Sequence, residues 1–118
     1  MPAVRLHHLV LLYLSVAYEA DQHFDPLERQ AVIQLASQWV PSLSPKRIEE
    51  VVDAAFSAAR SGHAMEVDQL ARELGTMLTP EQRLHVLTDL GQIARADGYL
   101  TAGEASTISR IRALWGSL

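Results

Sequence analysis

The sequence feature that most restricts the fold of this chain is a pair of acidic turns that lie 76 residues apart. Asp21 and Glu28 flank the first turn, and Asp97 and Glu104 occupy the same places around the second. Both tryptophans obey the same offset. Agreement of Asp, Glu and Trp at one offset is informative, whereas apolar residues often agree by chance in a chain that is 48% hydrophobic. The sequence therefore predicts an internal duplication of a helix-turn-helix hairpin, with a different segment between the copies.

Length and composition exclude several classes of function. A chain of 118 residues is expected to form one domain over residues 1–118. It has no cysteine, which excludes disulfides, zinc–thiolate sites and thiol catalysis. A formal net charge of −4 with no basic cluster argues against nucleic-acid binding.

No segment of the sequence looks like a membrane span or a leader. The longest apolar run, Leu9–Leu14, is too short to cross a bilayer. The preceding residues show no signal-peptide cleavage pattern. We therefore expect a cytoplasmic domain without a transmembrane segment.

The spacing of apolar residues predicts an all-α domain of about six helices, in which two repeated hairpins flank a central helix pair. Residues 6–20 are apolar on almost every face, which is typical of a helix buried at the centre of a domain. The other segments carry apolar residues three and four positions apart. Several begin with a capping residue followed by proline, as in Ser44-Pro45 and Thr79-Pro80. No alternating pattern predicts a strand.

The glutamates of the two turns have a purely structural interpretation. Glu28 lies three residues after Asp25, and Glu104 lies three residues after Thr101. This is the capping-box spacing, in which the glutamate accepts a hydrogen bond at the helix start and interacts favourably with the helix dipole.

Capping does not explain the two aspartates. Asp21 and Asp97 are expected at the C-terminal ends of helices, where the helix dipole disfavours an anion. Such a position indicates a partner, which is an arginine, the backbone N–H groups of the turn, or a cation. If the hairpins pack about a pseudo-twofold axis, Asp21, Glu28, Asp97 and Glu104 would face one another and offer oxygen ligands to a hard divalent ion.

Neither turn is a complete calcium loop. When Asp97 is placed at position five of an EF-hand loop, Gly98 and Glu104 take positions six and twelve. Ile93 and Arg95 then take positions one and three, where neither can be a ligand. The first turn keeps the same second half of the pattern. Metal binding and structural turns therefore both stay open.

No other residues form a recognisable reactive site. The sequence has no nucleophile motif and no glycine-rich phosphate loop, and its five histidines show no ligand spacing on one helix face. His23 lies inside the first acidic turn and is the best histidine candidate. Trp39 and Trp115 are predicted to be twin core anchors at equivalent places in the two hairpins. We expect no enzymatic activity.

The pattern Ala96-Asp97-Gly98-x-Leu100-x-x-x-Glu104, echoed from Ala20 to Glu28, resembles that of the tellurite-resistance TerB-like domain. The resemblance extends over about residues 6–115. It implies an all-helical bacterial module of stress-response operons and co-chaperone proteins, located in the cytoplasm and near the inner membrane. The first copy departs from the pattern because Gln22 stands where the second has glycine.

The resemblance also implies a site and a role. Acidic residues of the family are proposed to bind metal, and the matching positions here are Asp21, Glu28, Asp97 and Glu104. The first hypothesis is a stress-response accessory domain that binds a divalent metal ion through these acids, with no other cofactor. The alternative is a helical protein-interaction module whose acidic turns only hold the fold. Either one implies protein partners, and the oligomeric state and peripheral membrane association stay open.

Overall fold

A computed structural model describes residues 3–21, 26–61, 66–96 and 102–116. Those residues form six helices, which confirms the predicted all-α fold, and no strand occurs in them. The helices are α1 (Ala3–Asp21), α2 (Pro26–Trp39), α3 (Pro45–Arg60), α4 (Val67–Met77), α5 (Pro80–Ala94) and α6 (Ala102–Gly116). Within this described part of the chain, no helix combines the length and hydropathy needed to cross a bilayer.

Helix α1 is the centre of the fold. It packs against all five other helices. Leu6 and every residue of Leu9–Leu14 are buried. A helix that is apolar on all faces can avoid water only when neighbours surround it, so the sequence pattern and this central position have the same cause.

The outer helices bury one stripe each against α1 and against one another. Their buried side chains recur at spacings of three and four residues, as the sequence predicts. They include Val32 and Leu35 on α2, Ile48 and Val52 on α3, Leu70 and Leu74 on α4, Leu90 and Ile93 on α5, and Ile108 and Ile111 on α6.

Two predicted helix starts are confirmed in atomic detail. The Ser44 hydroxyl accepts the backbone N–H of Arg47 at 3.3 Å, which caps α3. At the start of α5, Thr79 and Gln82 form a complete capping box with N–O distances of 2.9 and 3.1 Å. Helix α4 begins at Val67, slightly later than the predicted start near residue 64, because the preceding residue has an extended backbone.

The two tryptophans do not have equivalent surroundings. Trp115 is buried, and its indole N–H donates to the Ala71 carbonyl at 2.6 Å. Trp39 is only partly buried and bonds to side chains of α1 and α5. The prediction of twin buried anchors is therefore right for Trp115 and wrong for Trp39, and the internal duplication stays a prediction.

Candidate functional site

Two of the four predicted metal ligands are buried carboxylates. Glu28 lies in the first turn of α2 and Glu104 in the first turn of α6. Their exposed fractions are 3% and 4%. Both residues have interaction partners. Glutamate is seldom buried this completely unless it is paired or coordinates a metal, so both positions are unusual.

The other two predicted ligands cannot be located as side chains. Asp21 is the last residue of α1, but its side chain is outside the described residues, as is all of Asp97. The predicted capping partners Asp25 and Thr101 are outside them too, together with His23. Among the residues that the structure does describe, no group of three His, Asp or Glu side chains could hold a metal ion. The four-acid metal site and the capping interpretation therefore both stay predictions.

A second polar site, absent from the sequence predictions, lies where α1, α2 and α5 meet. The hydroxyl of Tyr13 donates to Oδ2 of Asp89 at 2.5 Å. The indole N–H of Trp39 donates to the same hydroxyl oxygen at 3.0 Å and to Asp89 Oδ2 at 3.2 Å. We call these three residues and the adjacent His85 the polar cluster.

The environment of the polar cluster keeps the Tyr13 hydroxyl protonated. Burial is the main reason that the pKa of Tyr13 lies far above its ordinary value, and the hydrogen bond to Asp89 and its charge act in the same direction. The hydrogen bond from Trp39 opposes this increase to a smaller extent. Tyr13 is therefore a fixed donor to Asp89 and cannot act as a base or a nucleophile near neutral pH.

His85 connects the polar cluster with the surface. Its Nε2 lies 3.5 Å from Asp89 Oδ1, and its ring centroid lies 4.9 Å from that of Trp39. The His85 side chain is 51% exposed, whereas that of Asp89 is 2% exposed. A reactant could reach the histidine but not the carboxylate or the hydroxyl behind it. This arrangement favours a structural role, in which the buried Asp89 is satisfied by donors from two other helices.

One sequence signal could have pointed to this contact. Tyr13 and Asp89 are 76 positions apart, the same offset that relates the two acidic turns. In the predicted duplication these two residues would be equivalent positions, and equivalent positions meet where a twofold axis passes. Hydropathy alone gives no such signal, because it assigns an aspartate to the surface.

Comparison with protein families shows to which family this chain is similar. The family model described as "Tellurite resistance protein TerB" matches residues 7–116, which is almost the whole chain. The comparison with curated proteins and the comparison with solved structures found no match.

Proposed function

Since the chain belongs to the TerB family of tellurite resistance proteins, we propose that it is a bacterial stress-response accessory domain that binds a divalent cation. The cation would be held by Asp21, Glu28, Asp97 and Glu104. Carboxylate oxygens are the ligands that calcium, magnesium and manganese prefer. The proposal includes a cytoplasmic location and no enzymatic activity.

The burial of Glu28 and Glu104 is the observation that supports the proposal. Each is in the first turn of its helix, and each follows an acidic turn. Glu81, in the first turn of α5, does not follow an acidic turn, and it is exposed. A first-turn acid that serves only the helix dipole can stay in water, as Glu81 does. The extra burial at the two acidic turns supports a further ligand there.

Calorimetry and thermal unfolding in the presence of calcium, magnesium or manganese test this function directly. An ion that binds only the folded chain must stabilise it, by about 2.7 kcal/mol when its free concentration is a hundred times Kd. No heat of binding and no shift of the melting temperature with millimolar ions would contradict the proposal.

Two substitutions distinguish a metal ligand from a turn residue. Glu104→Gln keeps an oxygen that can accept the capping hydrogen bond, so we expect little change in stability without ions. The ion-induced rise in melting temperature should shrink sharply, because one anionic ligand is lost. Asp97→Asn should leave the ion-free protein unchanged or stabilise it by up to about 1 kcal/mol, and should weaken the response to ions in the same way. Glu81→Gln is the control, and its response to ions should equal that of the unmodified chain.

A second candidate function is a helical protein-interaction module with purely structural acidic turns. It is favoured by the exposure of three large apolar side chains, Leu27, Met77 and Leu84. The described residues also contain no three-residue group that could hold a metal. This alternative predicts that ions have no effect on melting, while a protein partner still binds. In both proposals the partners are proteins and not nucleic acids.

A further inference from the structure

A small groove opens beside the polar cluster, at the N-terminal end of α1, the C-terminal end of α2 and the connection between α4 and α5. Its volume is about 150 Å³, and the residues that line it are Arg5, Trp39, Leu74, Met77, Leu78 and Gln82. Glu28 and Glu104, the two predicted metal ligands whose side chains the structure describes, do not line it.

Four of the six described residues that line the groove are apolar, while polar atoms form about half of the surface that a ligand would touch. Of its apolar residues, Leu74 and Leu78 are buried and Met77 is exposed. The side-chain oxygen of Gln82 is already occupied, because it accepts the backbone N–H of Thr79. A ligand would therefore meet hydrocarbon, a thioether and the indole of a tryptophan, next to the polar atoms of Arg5 and Gln82. Such surfaces bind apolar groups, and a methionine can adapt its shape to them.

Among the described residues that line the groove, Arg5 is the one charged side chain. It is exposed, and among the described residues it forms no ion pair and no hydrogen bond. Arg29 and Arg47 are paired with Asp53 and Glu50, whereas Arg5, like Arg72, Arg95 and Arg112, has its charge available to a ligand. In a chain whose net charge is −4, an unpaired cation next to an apolar groove offers a local attraction for an anion.

The volume of the groove limits what can occupy it. Sites for cofactors and drug-sized ligands measure about 300–1,000 Å³, whereas an engineered apolar cavity of about 150 Å³ binds benzene. The groove therefore holds about one leucine or phenylalanine side chain and no more. An occupant of this size has useful affinity mainly when it is part of a larger partner that makes contacts outside the groove.

We propose that the groove docks a segment of a partner protein in which one large apolar side chain stands next to an acidic residue. The apolar side chain fills the space between Trp39, Leu74 and Met77, and the carboxylate pairs with Arg5. The inference goes beyond cation binding and does not depend on it, since neither Glu28 nor Glu104 is among the described residues that line the groove.

The polar cluster prepares this groove for binding. Trp39 contributes to a wall of the groove, and its indole N–H is held by Tyr13 and Asp89 on the inner side. A wall that is fixed before binding loses little conformational freedom when a ligand arrives, which favours affinity. A buried carboxylate in the core thus positions an aromatic side chain at the surface.

Nuclear magnetic resonance titration tests the proposal, because the chain's two tryptophans give two indole N–H signals. The probe is the peptide acetyl-Gly-Glu-Leu-Gly-amide, added to the full ¹⁵N-labelled chain in a buffer with a metal chelator. We expect the Trp39 signal to move and the Trp115 signal to stay, since Trp115 is buried elsewhere in the core. Because the chelator removes divalent ions, the result does not depend on whether the chain binds a cation.

Two altered peptides test the two halves of the recognition. Replacing the leucine by alanine should weaken binding about tenfold, because most of the apolar contact is lost. Replacing the glutamate by glutamine should weaken it about two- to fivefold, the range expected for an exposed ion pair.

Arg5→Gln should remove the difference between the glutamate and glutamine peptides. Arg47→Gln is a matched control, because Arg47 is the third residue of α3 as Arg5 is of α1, is also exposed and does not line the groove. It should leave both affinities unchanged. The backbone spectrum of each variant shows directly whether it is folded.

Several results would overturn the inference. One is no movement of the Trp39 signal with millimolar leucine peptide. Another is an equal loss of the preference for glutamate in the Arg5→Gln and Arg47→Gln variants. Binding of free 4-methylpentanoate as tightly as the peptide would show that the groove takes a small carboxylate and not a protein segment.

Discussion

The substitution Tyr13→Phe tests how much the buried polar cluster contributes to the stability of the fold. It removes a hydroxyl that donates to Asp89 at 2.5 Å and accepts from Trp39 at 3.0 Å, and it leaves the aromatic ring in place. The Trp39 N–H still reaches Asp89 at 3.2 Å, but the buried carboxylate loses its closest donor. Hydrogen bonds to charged groups contribute about 1.5–3 kcal/mol, so we expect the free energy of unfolding to fall by about 2–3 kcal/mol.

The measurement is urea denaturation followed by circular dichroism at neutral pH, with the slope of free energy against urea checked to be constant. The double variant Tyr13→Phe/Asp89→Leu completes the test. Replacing both partners of a buried polar pair by apolar side chains is often close to neutral. Here the double change also removes both acceptors of the partly buried Trp39 N–H, so the second change should restore only part of the lost stability. The resulting interaction energy between the two positions should be at least about 1 kcal/mol.

Thr88→Val is the control for loss of a hydroxyl, since Thr88 is exposed on α5 and its hydroxyl bonds only to the backbone of its own helix. It should change the free energy of unfolding by less than about 0.5 kcal/mol. A Tyr13→Phe variant that is no less stable than this control would refute the reasoning. Strictly additive effects at Tyr13 and Asp89 would refute it as well.

Two further predictions concern His7, which is partly buried, and Trp115, which is buried. Burial, and then the neighbouring His8, lower the pKa of His7 below its ordinary value of 6.5. The unfolded chain then binds a proton more readily than the folded chain, so the free energy of unfolding should fall as pH drops below about 6.5. His7→Gln should make this pH dependence weaker in urea titrations between pH ~7.5 and ~5.5. A stronger pH dependence in the variant would contradict the assignment. Trp115→Phe removes the buried N–H that donates to the Ala71 carbonyl at 2.6 Å, and it should lower the free energy of unfolding by about 1–3 kcal/mol in the same assay. A decrease of less than about 0.5 kcal/mol would show that this hydrogen bond contributes little to stability.

The helices could be predicted from the sequence because their signals are local. Ser44 and Thr79 predict the starts of α3 and α5, because a capping hydroxyl accepts a backbone N–H from three residues further along the chain. The structure contains both of these hydrogen bonds. The central place of α1 follows from its own composition, since a helix with no polar face must be covered on all sides. Neither inference requires knowledge of a distant part of the chain.

The polar cluster could not be predicted in this way. Asp89 is buried only because α1 and α2 bring Tyr13 and Trp39 to it, and these three residues are far apart in the sequence. A hydropathy pattern assigns Asp89 to the surface and Trp39 to the core. In the structure Asp89 is buried and Trp39 is only partly buried.

The acidic turns are an intermediate case. Their spacing correctly places Glu28 and Glu104 in the first turns of α2 and α6. It gives no measure of their depth, because that depends on how the neighbouring helices pack over them. The burial of both carboxylates is therefore information that only the three-dimensional arrangement supplies.

The central position of α1 has a consequence for synthesis of the chain. This helix ends at Asp21, whereas α6, which also packs against it, ends at Gly116. At about 5–20 residues per second, a ribosome needs on the order of 5–20 s to make the residues between these two points. During that interval the most apolar helix of the protein has left the exit tunnel before its last partner exists. Apolar surface that is exposed in this way is prone to aggregation, and the native core can close only after the sixth helix has been made.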